Sequence, residues 1–491
     1  MYMGIDLGTS SVKVILIDDG GSIVDEASVP LTVARPRPLW SEQDPQAWWD
    51  AVLAAAASLR ARRSLDAVAG IGLSGQMHGA VLLDRSDAIL RPAILWNDGR
   101  AGAECEELER REPASRTITG NLAMPGFTAP KLIWVAKNEP DIFSRTARVL
   151  LPKDWIRLKL VGEAVSDMSD SAGTLWLDVA KRQWSAAMLE ATGLDESHMP
   201  RLVEGTEVSG KLLPVAASAL GLRPGIPVAG GGGDNAAGAV GIGVVHPGAA
   251  FVSLGTSGVI FVADDVLKKD PERAVHAFCH CIPGMWHRMA VILSAAATLS
   301  FTARLAGMPD EASLLAETEA AGLAMREKSR LVFLPYLSGE RTPHNDPAAS
   351  GVIFGLDGAT TRADLGRAAL EGVAFALADG LDALEAHGGT IDAFSVIGGG
   401  ARSKVWGQIL AAALRRPLIY HHGGEVGPAL GAARLARIAA TGASLDEACP
   451  PPPVSHVIEP ESDLMEALEP RRSLFRRLYS DLKSSFAASV S

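Results

Sequence analysis

Leu7-Gly8-Thr9-Ser10-Ser11-Val12 recurs half a chain later as Leu254-Gly255-Thr256-Ser257-Gly258-Val259. In each copy an apolar strand enters a Gly-Thr-Ser turn. An apolar strand leaves it and ends in an acidic pair, Asp18-Asp19 or Asp264-Asp265. The turn chemistry makes both antiparallel hairpins. Two matched hairpins in 491 residues predict two domains of one ancestral design. His246-Pro247-Gly248 breaks the chain between them, so the expected domains are 1–245 and 246–491.

Working outward, residues 22–33 read as a third strand of the first hairpin. Asp44-Pro45 reads as an N-cap followed by Pro at the first helical position. Trp48, Ala51, Val52, Ala55 and Leu59 then follow at helical spacing. Strands are expected at 68–73 and 80–84, and helices at 131–137 and 152–160. The second half predicts helices at 294–306, 311–321, 361–384, 403–414 and 426–441, with strands at 393–397 and 417–420. The proline run in 449–455 predicts an extended link, and an amphipathic helix is expected over 470–482. The pattern is α/β with mixed strand directions.

Hydrophobic residues make up 47% and charged residues 21%, which excludes a mostly disordered chain. Net charge is −11, against the basic face that nucleic acid or an anionic membrane requires. No apolar run approaches the ~20 residues of a membrane span, and residues 1–6 do not resemble a signal peptide. A soluble cytoplasmic protein is the expectation. The four cysteines, 105, 279, 281 and 449, are too few for a disulfide scaffold. Cys279 and Cys281, with His276, His280 and His287 nearby, admit a metal reading, but the spacing is not that of paired zinc ligands. A buried strand with reduced thiols is the ordinary alternative.

Glycine lets backbone N–H groups approach a phosphate closely, and hydroxyls add donors. Gly8-Thr9-Ser10 and Gly255-Thr256-Ser257 supply both. Asp6 precedes the first loop, where a carboxylate would hold Mg²⁺, through water, beside phosphate. Between the halves lies Val228-Ala-Gly-Gly-Gly-Gly-Asp234-Asn235-Ala-Ala-Gly238. Asp234 falls at a helix N-terminus, which favours its ionised form and is expected to hold its pKa low. That suits a general base for a hydroxyl; an N-cap aspartate is the commoner use of such a residue. Gly398-Gly399-Gly400-Ala401-Arg402-Ser403 follows an apolar strand and reads as a flat surface for adenosine or as close packing. Gly424, Gly427, Pro428 and Gly431 then open another small-residue helix. Gly70-Ile-Gly72-Leu-Ser-Gly75 fits a dinucleotide pattern but is followed by a loop and a strand, so that reading fails. Trp40-Ser-Glu-Gln, Gln76-Met77-His78 and Trp96-Asn97-Asp98 pair polar groups with apolar surface, as a sugar requires.

The assembled pattern resembles the FGGY family of carbohydrate kinases over nearly the whole chain. It rests on residues 1–10, Pro38–Pro45, Ser74–Gly79, Ile94–Arg100, Gly126–Trp134, Gly231–Gly238 and Leu337-Ser-Gly-Glu-Arg-Thr-Pro-His344. The resemblance implies two actin-like, ribonuclease-H-type domains with mixed sheets flanked by helices, closing on a deep cleft. ATP would bind mainly to the C-terminal domain and sugar to the N-terminal one. It implies Asp234 as catalytic base and Asp6 as the residue near metal and phosphates. Met77 and His78 match a ketose-binding pair, and Asn235 is a further sugar contact. Gly8, Thr9 and Ser10 match the first phosphate loop, and Thr256 and Ser257 the second. Gly400, Ala401 and Lys404 match the adenosine side. The implied substrates are ATP with Mg²⁺ and D-xylulose, and relatives often form homodimers. Ribulose, another pentulose or a polyol is the first alternative. An actin-like ATPase without a sugar substrate is a remote second.

Overall fold

The computed structural model describes residues 1–322, 330–422 and 427–489. In chain order its main elements in the first half are β1 (Tyr2–Leu7), β2 (Ser11–Ile17), β3 (Ile23–Pro30), α1 (Pro45–Arg60) and β4 (Gly70–Gly75). β5 (Val208–Lys211), β6 (Pro227–Ala229), β7 (Gly232–Gly233) and α2 (Asp234–Gly241) complete that half. The second half contributes β8 (Ala250–Leu254), β9 (Gly258–Asp264), β10 (His276–Cys279), β11 (Trp286–Ile292) and α3 (Arg362–Glu385). They are followed by β12 (Phe394–Ile397), α4 (Lys404–Leu414), β13 (Leu418–His421), α5 (Pro428–Thr441), β14 (Val454–Ile458) and α6 (Ser462–Ser489).

Two mixed sheets repeat one plan. The first runs β5-β6-β4-β1-β2-β3 and the second β10-β11-β9-β8-β12-β13-β14. In each, the hairpin that holds Gly-Thr-Ser is antiparallel (β1 with β2, β8 with β9). Its first strand pairs in parallel on the other side, β1 with β4 and β8 with β12. This is the two-domain, actin-like α/β architecture. No helix among the described residues is long and apolar enough to cross a membrane.

Most expected elements are present with shifted ends. α1 starts as its sequence requires, with the Asp44 side chain accepting from Gln46 N at 2.9 Å and Pro45 at N1. The expected helices at 131–137 and 152–160 are Thr128–Asn138 and Pro152–Val161. Gly424 and Val426 lie outside the described residues. The link at 449–455 ends in β14, because Pro453 O and Pro452 O accept from His422 N and His421 Nδ1 and steer the chain alongside β13.

The terminal helix differs more. It starts at Ser462, before Pro470, and holds that proline in its interior. Proline normally breaks a helix. Here both sides are anchored: Leu464 and Leu468 sit in the core before it. After it, Arg472 Nη2 bonds Asp379 Oδ1 at 3.1 Å and Arg476 Nε bonds the same oxygen at 2.7 Å.

α5 comes from the second half but packs on β1, β4 and α2 of the first. Small residues permit it. A Cβ at Gly4 would lie 2.0 Å from Ala429 O, at Gly72 1.8 Å from Ala432 O, and at Gly431 1.7 Å from Ala237 O. Gly70 and Gly72, the dinucleotide decoy, are thus strand residues cleared for a helix. Arg434 of α5 donates from Nη1 to Val240 O, near the C-terminal end of α2, at 2.9 Å, where a cation is favoured.

Gly72→Ala and Gly431→Ala must therefore force the helix away. Each is expected to cost about 1–3 kcal/mol or more and to lower activity. Gly358→Ala, whose Cβ meets nothing within 4 Å, is the matched control. Chemical unfolding with activity measured alongside checks all three.

Candidate functional site

A cavity of about 300 Å³ lies between the halves. Met77, His78, Trp96, Asp234 and Asn235 line it from the first half, and Gly255, Ser257, His276 and Arg341 from the second. Phe127, Phe278, Met124, Met289 and Val291 supply apolar wall.

Asp234 is the first residue of α2. Its Oδ1 accepts from Asn235 N at 2.8 Å and Asn235 Nδ2 at 2.9 Å. The expectation of a lowered pKa is not met. Burial raises it to about 6, against the pull of the Asn235 bonds. Removing a carboxylate from water outweighs a short helix's N-terminal field.

Asp6 ends near the same place. Burial and then the charge of Asp234 raise its pKa to about 7, with the Ser74 hydroxyl and Lys13 acting the other way. Its Oδ1 is buried without a hydrogen-bond partner among the described residues. Two like charges held close in a half-dry site are the arrangement a cation would relieve.

His78 occupies a left-handed turn, φ 68°. Its Nδ1 lies 2.7 Å from Gly173 O, so Nδ1–H donates and Nε2 is left as an acceptor. Burial lowers its pKa to about 3, keeping the ring neutral. The turn is pinned by Lys131 Nζ and Thr128 Oγ1, which donate to His78 O at 2.8 and 3.1 Å. Lys131 also holds Gly126 O at 2.7 Å. The sequence reading quoted this stretch but assigned Lys131 no part, because a buried ammonium bonded to carbonyls leaves no pattern in one sequence.

Thr9 corrects one expectation. Its hydroxyl donates to Gln76 Oε1 at 2.8 Å and accepts from Trp96 Nε1 at 2.9 Å. Gln43 Nε2 holds Thr9 O at 2.8 Å. The Thr9 side chain ties the first loop to the cavity wall and is not a free phosphate donor. Gly8 N is likewise closed onto Ser11 O at 3.0 Å, while Ser10 and Thr256 are exposed. Asp98 and Glu42 grip Arg100 at 2.6 and 2.8 Å, and Arg100 stacks 3.6 Å from the Trp40 ring. That clip ties the strand at Glu42 to the turn at residues 98–100.

The third glycine cluster lies outside the cavity. Ala401 belongs to the short turn Gly399–Arg402, and Lys404 is exposed at the start of α4. A Cβ at Gly400 would meet Trp406 at 2.5 Å and Leu254 at 2.9 Å, so Gly400 itself answers to packing over the second loop. Cys279 and Cys281 are buried free thiols, Cys279 closing β10.

The four glycines before Asp234 also answer to packing. A Cβ at Gly231, where φ is +75°, would lie 2.1 Å from Leu73 O, and one at Gly233 2.9 Å from Met77 Sδ. Behind them sits a fully buried charge cluster. Lys153 Nζ lies 2.6 Å from Asp154, 2.7 Å from Asp167 and 3.0 Å from Asp170. Arg157 Nη1 donates to Ala229 O at 2.6 Å, and Nη2 donates to Gly230 O. Ser169 Oγ donates to Asp167 and accepts from Gly233 N at 3.1 Å. Burial pushes Asp170 well above the usual carboxylate range, against the pull of Lys153.

Residues 1–241 match the N-terminal domain of the FGGY family of carbohydrate kinases, and residues 250–440 match its C-terminal domain. The chain belongs to this family. It is 54% identical to the xylulose kinase of Escherichia coli (strain K12) over 98% of this chain and 99% of that one. It is 52% identical to the xylulose kinase of Klebsiella pneumoniae over the same shares. The crystal structure of a xyloylose kinase from Brucella ovis superposes with a TM-score of 0.95 at 51% identity, covering 98% of this chain and 99% of that one.

Two outcomes follow for the buried cluster. Lys153→Met strands carboxylates in the interior and is expected to cost about 3–5 kcal/mol, read by chemical unfolding. Ser169→Ala removes two hydrogen bonds behind Asp234, the one to Asp167 and the one from Gly233 N; it is expected to cost about 1–3 kcal/mol in chemical unfolding and to lower kcat while the sugar KM stays near wild type.

Proposed function

We propose that the chain transfers the γ-phosphoryl group of ATP to the terminal hydroxyl of D-xylulose, giving D-xylulose 5-phosphate and ADP. The observation that carries this reading is Asp234. It is a partly buried carboxylate at the head of α2, in the same cavity as neutral His78, Asn235 and the second Gly-Thr-Ser loop. The family supplies ATP as donor, and the xylulose kinases at over 50% identity support the choice of sugar.

Asp234 takes the hydroxyl proton. The oxygen attacks the γ-phosphorus in line as ADP departs. His78 Nε2 and Asn235 Oδ1 accept from sugar hydroxyls and orient the chain. Backbone amides at Gly255–Ser257 face the transferring group with Ser257. The residues fit a divalent cation: Asp6 Oδ1 is buried without a partner, and the carboxylate would hold Mg²⁺ through water. Bound there, Mg²⁺ supplies positive charge that neutralises phosphate oxygens.

Asp234→Asn is expected to keep the fold and lose nearly all turnover. Because Asp234 must be ionised to accept a proton, kcat/KM falls as pH drops through its pKa of about 6. Retained turnover in the Asn variant would remove Asp234 from this role. ADP release with Mg-ATP against D-xylulose, L-xylulose, D-ribulose, L-ribulose, glycerol and no sugar tests the acceptor. Selective acceleration by D-xylulose is the expected result, and release that no sugar accelerates would overturn the kinase reading.

Ionisation of Asp6 and Asp234 also burdens the folded state. Both pKa values are raised, so both groups hold their protons to higher pH in the folded chain than in the unfolded one. Stability is therefore lost as pH climbs from about 4 to about 7. Asp6→Asn should raise the thermal midpoint at pH 8 by about 2–4 °C and leave it unchanged at pH 4, while activity falls. A midpoint no higher at pH 8 would contradict the burial argument.

A further inference from the structure

Arg341 brings a guanidinium to the cavity from the second half of the chain. Its side chain has one hydrogen-bond partner among the described residues, His276 Nε2, 3.4 Å from Nη1. It forms no ion pair within 4 Å among them. Glu340 is adjacent, but its Oε1 accepts from Leu293 N at 3.0 Å and Arg341 N at 2.8 Å. The other donors of Arg341 are not among the buried, unpartnered polar atoms, so they open onto the cavity.

The arm is held from across the cleft. Asn121, in the first half, donates from Nδ2 to Ala277 O at 2.8 Å and accepts at Oδ1 from Ala277 N at 3.2 Å. The same Oδ1 lies 3.2 Å from His276 Nδ1. His276 is buried and kept neutral, first by burial and then by the Arg341 charge. Its Nδ1–H therefore donates to Asn121, and its Nε2 lone pair accepts from Arg341. Phe127 and Phe278 flank the imidazole at centroid distances of 5.7 and 5.6 Å. This is a histidine built into a support, and it accounts for one of the residues that admitted a metal reading.

The polar groups of the cavity then divide. Asp234, His78 Nε2 and Asn235 Oδ1 are acceptors, suited to hydroxyl protons. Trp96 Nε1 already donates to Thr9. Arg341 is the cationic donor among the lining side chains. The acceptor's own chemistry completes the match. A 2-ketopentose closes its five-membered ring through the oxygen on C5, so phosphorylating that oxygen requires the open-chain form. The open chain exposes a carbonyl oxygen, which accepts hydrogen bonds and donates none.

We propose that Arg341 binds the keto oxygen of the open-chain sugar, so that the second half of the chain reads the ketose while the first half holds its hydroxyls. This rests on the proposed ketose substrate. The test is calorimetric binding, without nucleotide, of D-xylulose and of the two alditols formed by reducing it at C2, xylitol and D-arabinitol. Wild type is expected to bind the ketose at least tenfold more tightly than either alditol. Arg341→Met should weaken ketose binding about 10- to 100-fold, the range for a charged hydrogen bond, and alditol binding less than threefold. Arg341→Lys should recover part of the loss. Should the Met variant fail to fold, Arg341→Gln carries the same outcomes.

A Met or Gln variant that folds and keeps the wild-type ketose-to-alditol ratio overturns the assignment. So does a loss equal for ketose and alditols, which a merely structural role would give. The kinase reading is judged separately, by turnover. Wild type that binds D-xylulose selectively but never phosphorylates it sinks that reading and leaves Arg341 standing. Wild type that binds none of the three compounds overturns the Arg341 assignment, and turnover alone still decides the kinase reading.

Discussion

α5 can lie on β1, β4 and α2 only because residues 4, 72 and 431 carry no side chain. That contact lets a helix from the second half of the chain close the first sheet. It also sets the relative position of β1, which carries Asp6, and α2, which begins at Asp234. Asp6 and Asp234 are therefore placed by a backbone approach that one methyl group would prevent. Protein interiors are packed densely enough for such an approach to be specific. Arg434, reaching from α5 to Val240 O and to Pro450 O at 2.8 Å, fixes the sense of the contact.

Burial on this scale dictates the electrostatics. Asp6 and Asp234 lose hydration, so both pKa values rise, and the charge of Asp234 raises that of Asp6 further. His78, His276 and Lys131 lose hydration too, and theirs fall. Arg341 is the cation among the described side chains that line the cavity. Farther in, Lys153 faces the carboxylates of Asp154, Asp167 and Asp170, Arg157 holds the carbonyls of Ala229 and Gly230, and Ser169 holds the amide of Gly233. Charges kept without water must be paired, and here the pairing doubles as a rigid seat for the segment that leads into Asp234.

The two Gly-Thr-Ser loops are equivalent in topology but not in use. The first is tied into its own half through Thr9, Gln76, Gln43 and Trp96. The second receives the amides of Ala295 and Ala296 on its carbonyls, at 2.8 and 2.9 Å, and presents Ser257 to the cavity. A duplicated design has thus diverged into one loop bound to the sugar wall and another open to it.

Local chemistry determined much of this from the sequence alone. Hairpins follow from turn residues, and α1 follows from Asp44-Pro45 and its apolar spacing. The repeated Gly-Thr-Ser pairs the domains, and the resemblance to the FGGY family points to Asp6, Met77, His78, Asp234 and Asn235 as a site. The elements rest on interactions within a few residues or on a repeat that needs no coordinates, and the site rests on matched motifs. Tertiary structure decided the rest. The helix field at Asp234 was legible, but the loss of water that overrides it depends on residues far away in the chain. Gly72, Gly231 and Gly400 were visible as glycines, yet whether each serves a ligand or a neighbouring backbone depends on what approaches it in space. Thr9 looked like a phosphate donor, but the fold points its hydroxyl hydrogen at Gln76, distant in sequence. Arg341 and His276 were present in plain view, but only the folded chain brings them to the cavity wall, because their partners come from opposite halves.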